Sequence, residues 1–193
     1  MTSLLASEQL WWYVARSGGI VALLLTGSSV LLGLVMSTRI MKGASSPQWL
    51  NGTHRWLGGL SVTFTGVHVL ALALDSFVSF GVLDILVPFA SSWKPGAVAW
   101  GIVTMYLLLA VQITSMLGKR IPRTWWKRVH ATSFLLLWTG LVHGATAGTD
   151  ASQPAYIVAT AALTLLTVFL LAYRVLTKRH KPSPKPATAS VVG

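Results

Sequence analysis

The chain has 193 residues and no cysteine, so its chemistry rests largely on five histidines. Without thiols, disulfides, iron–sulfur clusters and thiolate metal sites are excluded, and any redox or metal centre needs histidine, methionine or oxygen ligands. Four histidines, His54, His68, His130 and His143, fall in or beside long apolar runs. Ionisable groups in such surroundings are costly, which makes them functional candidates. His180 lies in a basic tail and reads as a solvated residue. His54 and His68 are 14 residues apart, and His130 and His143 are 13 apart. On helices each step covers roughly 20 Å, too far for both depths to share one zinc or copper ion.

The elements that carry them follow from composition. Only 10% of residues are charged, 53% are apolar, and the mean hydropathy is +0.66. A soluble domain carries about a quarter charged residues, so lipid is the main solvent here. A spanning helix needs about 20 largely apolar residues. Five stretches without Asp, Glu, Lys or Arg reach that length: Ser17–Thr38, Trp56–Leu74, Pro95–Gly118, Val129–Thr149 and Ala151–Tyr173. The first helix is expected to begin near Leu10, with Arg16 inside it. It should be retained, because Glu8 and the lack of a basic leader do not suit a signal peptide. Phe77–Trp93 is broken by Asp84 and Pro88 and reads as re-entrant or interfacial. The expected fold is an all-α integral membrane protein with five transmembrane helices.

The net charge of +11 points to membrane topology and not to nucleic acid, because the basic residues sit between apolar runs. Arg39, Lys42 and Arg55 follow the first span. Lys119, Arg120, Arg123, Lys127 and Arg128 separate the third from the fourth, and Arg174, Lys178, Arg179, Lys181 and Lys185 end the chain. All four acids, Glu8, Asp75, Asp84 and Asp150, fall on the opposite side. The positive-inside rule therefore predicts a multi-pass cell-membrane protein with its N-terminus outside and its C-terminus cytoplasmic. Residues 1–176 form the membrane domain, and 177–193 read as a disordered, basic, Pro-rich cytoplasmic tail. No glycine-rich nucleotide fingerprint occurs, so the chain contains no flavin or nicotinamide domain.

Helices two and four run parallel, from cytoplasm to outside. Matching depths pair His54 with His130 near the cytoplasm and His68 with His143 near the outer face. Each pair suits one planar haem clamped between facing helices, one imidazole on each side of the iron. The phase is imperfect. A 14-residue step returns to within about 40° of one face, whereas 13 residues land roughly 140° away. A bend, a π-turn or different approach angles of the two haems must absorb this, and Gly140 and Gly144 could allow a bend. Gly58, Gly59 and Gly66 also lie near the histidines; small residues suit either a porphyrin or a helix contact. The tryptophans fit an interfacial belt better than an electron relay.

These paired histidines, with the stretch Tyr13–Val14–Ala15–Arg16–Ser17–Gly18–Gly19, resemble the ferric reductase-like transmembrane domain family. That family includes eukaryotic ferric reductases, the membrane half of NADPH oxidases and the haem subunit of a bacterial methionine sulfoxide reductase system. The resemblance covers roughly Trp11 to Tyr173. It implies His54, His68, His130 and His143 as axial ligands of two b-type haems, with Arg16 as a charge partner of haem propionates. It further implies a cytochrome b passing electrons from a separate flavoprotein or quinol donor to an extracytoplasmic acceptor, as an oxidoreductase component. Five spans where six are common, and no fused flavin module, set the chain apart. The rival reading is a non-redox transporter or assembly subunit whose histidines move protons or metal ions.

Overall fold

A computed structural model describes residues 2–41, 43, 46–76 and 78–178. The described chain forms seven helices: α1 (Thr2–Thr38), α2 (Pro47–Leu74), α3 (Val82–Leu86), α4 (Pro95–Met116), α5 (Arg123–Ala131), α6 (Ser133–Ala147) and α7 (Pro154–Lys178). Proline opens α2, α4 and α7, where its missing N–H costs nothing because the first-turn amides have no helical partner. Ser46 completes the start of α2, its Oγ accepting from the Trp49 N–H at 3.2 Å.

Four helices are long and apolar enough to cross a membrane: Gln9–Thr38, Pro47–Leu74, Pro95–Met116 and Pro154–Thr177. Large apolar side chains cover their outsides, with Leu165 69% and Phe169 62% exposed on α7. Such a surface is stable only in lipid. The fourth expected span, Val129–Thr149, is divided at Thr132. There the backbone N–H bonds Val129 O at 3.0 Å and the hydroxyl bonds the same carbonyl at 2.7 Å. These i−3 bonds tighten the turn and separate α5 from α6. The break thus lies between His130 and His143, whose 13-residue spacing is out of phase with a straight helix. Gly140 and Gly144, expected to allow the bend, stay within α6.

The helices form two antiparallel hairpins, α1 with α2 and α4 with α5–α6, and α7 packs against α1. A small core of Val30, Leu34, Leu137 and Leu163 joins α1, α6 and α7. Leu163 of α7 lies directly over Gly27 of α1, where a Cβ would collide with the leucine methyls. The Phe77–Trp93 segment, described from Val78, contains only the one-turn helix α3 and does not span. Val82, Leu83 and Phe89 stand about 70% exposed there, as an interfacial segment requires (72%, 69% and 72%). Residues 177 and 178 continue α7, and the remainder of the expected tail lies outside the described residues.

Gly27 supplies a direct test of the α1–α7 contact. Replacing it with valine should cost about 1–3 kcal/mol by overpacking against Leu163, read as a lower unfolding temperature in detergent. Adding Leu163→Ala should restore much of the loss.

Candidate functional site

The structure brings the four histidines together in the expected pairs. The His54 and His130 ring centres are 5.9 Å apart with planes at 66°, and those of His68 and His143 are 6.3 Å apart at 77°. A metal–imidazole bond of about 2.0 Å, plus roughly 1.2 Å from nitrogen to ring centre, gives about 6.4 Å across one shared metal atom. Both gaps therefore match two imidazoles facing a single metal.

Hydrogen bonds fix which nitrogen is available. His68 Nδ1 lies 2.6 Å from the Ala15 carbonyl, His54 Nδ1 3.0 Å from that of Ser29, and His143 Nδ1 2.8 Å from that of Ala97. A carbonyl only accepts, so Nδ1 carries the proton in all three and Nε2 keeps its lone pair in the neutral ring. Metal-bound histidines are oriented in this way. His130 differs, since its Nδ1 reaches only the Ser115 hydroxyl at 3.4 Å. Trp126, one turn earlier on α5, stacks on its ring at 4.8 Å and 19°.

A second regularity lies behind the rings. The three acceptor carbonyls belong to Ala15, Ser29 and Ala97, and four residues beyond each stands Gly19, Gly33 or Gly101. An added Cβ at Gly19 would lie 3.0 Å from His68 Nδ1, at Gly33 3.4 Å from His54 Cε1, and at Gly101 2.6 Å from His143 Cε1. The missing side chain is what lets each imidazole reach the helix backbone. Ser115 occupies the fourth equivalent position, 14 residues after Gly101 as Gly33 follows Gly19, and offers its hydroxyl instead. Sequence reading singled out Gly58, Gly59, Gly66, Gly140 and Gly144. Of these, Gly58 faces Gln112, Gly140 faces Thr104 and Leu23, and Gly144 faces Tyr156, whereas Gly59 and Gly66 have no neighbour within 4 Å. The informative signal was a glycine at a matching 14-residue step on the preceding helix.

Between His68 and His143 lies a cavity of about 320 Å³ with mainly apolar walls, including Ile20, Leu72, Ile102 and Leu136. The end of the cavity away from His54 and His130 is polar. Arg16 grips Asp150 through Nε and Nη2 and lies 5.0 Å over the Trp12 ring. The expected anionic partner of Arg16 is thus supplied at least in part by the chain itself. Asp75 Oδ1 and the Tyr156 hydroxyl line the same cavity, buried and without a hydrogen-bond partner. Lys94, the other basic residue on this side, donates to Thr146 O at 3.2 Å.

Among the described residues no group of three or more His, Cys, Asp or Glu side chains could hold a metal ion. Two facing imidazoles beside a roomy apolar cleft fit a metal that brings its own equatorial ligands, as haem does. The orphaned polar atoms at the cavity's end agree with a bound group that has a polar edge.

Fold and site together define a multi-pass membrane protein with two paired-histidine sites stacked across its helices. The family model described as ferric reductase like transmembrane component matches residues 18–141. The chain belongs to the ferric reductase-like transmembrane family. No curated protein and no solved structure matches it.

The glycine contacts make a graded prediction. Alanine at Gly101 should destabilise the protein most, at Gly19 less and at Gly33 least, following the tightness of the three contacts. Thermal unfolding of the purified variants in one detergent would check the order.

Proposed function

We propose that this protein is a di-haem b-type cytochrome of the cell membrane that carries electrons from the cytoplasmic to the outer face. The observation that carries this reading is the pairing of His54 with His130 and His68 with His143 at ring-centre spacings suited to one shared metal. His54 and His130 would hold the inner haem and His68 and His143 the outer one. Together with α1, α2 and α4, the α5–α6 segment would complete the bundle as the fourth of five crossings, and α7 as the fifth. When bound, haem supplies one-electron chemistry, cycling between ferric and ferrous iron.

The chain's own residues do the rest. The Ala15, Ser29 and Ala97 carbonyls hold three rings in place and keep Nε2 unprotonated. Gly19, Gly33 and Gly101 allow that approach, and the apolar walls exclude water from the outer site. His54 and His68 are 14 residues apart on one helix, placing the two sites roughly 20 Å apart along the bundle. The N-terminus outside and C-terminus inside follow from the basic residues at the His54/His130 end. Electrons would enter there from a separate cytoplasmic flavoprotein or a membrane quinol and leave at the outer site to an extracytoplasmic acceptor. A non-redox transporter predicts no haem at all.

Haem quantitation with reduced-minus-oxidised spectra tests the proposal. About two haems per chain are expected. Ala at His54 or His130 should remove the inner haem and spare the outer, and Ala at His68 or His143 should do the reverse. A purified chain without haem absorption contradicts the reading, and loss of the outer haem alone from His54→Ala contradicts the pairing.

A further inference from the structure

The outer end of the cavity between His68 and His143 carries polar groups that pairing of the histidines does not use. Tyr156, on the first turn of α7, puts a buried hydroxyl without a partner on the cavity wall. That hydroxyl sits against Gly144, next to His143 in the chain, in space a Cβ there would fill. Asp150, in the turn before α7, takes Arg16 through Nε and Nη2. This leaves Nη1 of the guanidinium with both its protons uncommitted to Asp150. Asp150 and Tyr156 lie beyond the residues 18–141 that match the family, so nothing in that match assigns them.

A buried phenol is stable only if it finds a hydrogen-bond partner. The neighbours at this rim are a tethered arginine and a phenol, both able to donate, and Asp75 Oδ1 is the unpaired acceptor on the same cavity. An acceptor-rich, anionic group completes such a rim, and a carboxylate is the simplest one. A haem of the b type carries two carboxylates on one edge.

We propose that Tyr156 is a further binding residue of the outer site, donating to a carboxylate of the group held between His68 and His143. Asp150 is the positioning residue that orients Arg16 toward the same carboxylate edge. The inference rests on the di-haem reading. It makes the turn before α7 and its first helical turn part of the site, where the histidine pattern alone assigns the last helix nothing.

The test uses the full chain purified with its haem. Tyr156→Phe removes one oxygen and leaves the packing in place. The outer haem should then transfer to a scavenger globin roughly tenfold faster or more, as losing a hydrogen bond to a charged group requires. The inner haem should be unaffected. The outer potential should fall, because an unneutralised carboxylate favours ferric iron, and the propionate bending band in resonance Raman spectra should move. Asp150→Asn removes a negative charge beside Arg16 and should raise the outer potential, the opposite sign to Tyr156→Phe, while speeding release of the outer haem because the guanidinium loses its orientation. In a His143→Ala background, Tyr156→Phe should be neutral or stabilising, since the hydroxyl then lacks its ligand.

A wild-type chain with two haems whose outer release rate, potential and propionate band ignore Tyr156→Phe overturns this inference alone. Asp75→Asn changing the outer site while Tyr156→Phe is silent would mark the rim as a cation site, and overturns it as well. A wild-type chain without haem overturns both this inference and the function it rests on.

Discussion

An imidazole within a bilayer brings an N–H that no water will satisfy, and the arrangement of this protein follows from that constraint. Three of the four paired histidines resolve it by donating to a backbone carbonyl of the preceding helix. Helix carbonyls have a spare lone pair, but an imidazole reaches one only where the facing surface is bare. Gly19, Gly33 and Gly101 provide the bare surface. The hydrogen bond fixes the tautomer, the tautomer frees Nε2, and the antiparallel hairpin fixes the depth. Helix pairing, ring orientation and ligand chemistry thus share one cause.

The fourth histidine shows what happens where the pattern lapses. Ser115 stands at the position corresponding to a glycine, and His130 belongs to the short helix α5, ahead of the break at Thr132. Its long contact to a hydroxyl is supplemented by stacking on Trp126. The break has its own use, because α5 and α6 can then aim histidines only 13 residues apart at a partner helix whose own pair is spaced by 14. The His54/His130 pair therefore has one ring tied to a backbone carbonyl, whereas the His68/His143 pair has two.

Much of this was legible in the sequence. Charge-free runs located the four long apolar helices, and helix parity with histidine spacing gave both ring pairs. The bend was inferred from phase but placed at Gly140 and Gly144, which stay within α6, since Thr132 and Ser133 look like ordinary helix residues until the hydrogen bonds of Thr132 are seen. The supporting glycines were misjudged because attention fell on the helices that carry the histidines. The contacts are made by the preceding helices, so the signal is spread across elements. Asp150 and Tyr156 were silent for a related reason. An aspartate in a turn and a tyrosine near a helix end fit many interfacial roles, and only the fold places them at the rim of the outer cavity.

The central claim is that each histidine pair ligates one haem iron with its ring planes strongly crossed. Low-temperature electron paramagnetic resonance of the oxidised, purified protein tests it most directly. Planes at 66° and 77° would leave the orbitals of a bound haem iron nearly degenerate, so two low-spin ferric signals of the strongly anisotropic type are expected. Loss of one signal should accompany loss of either pair. High-spin iron, a rhombic spectrum of parallel imidazoles, or no haem iron signal would contradict it.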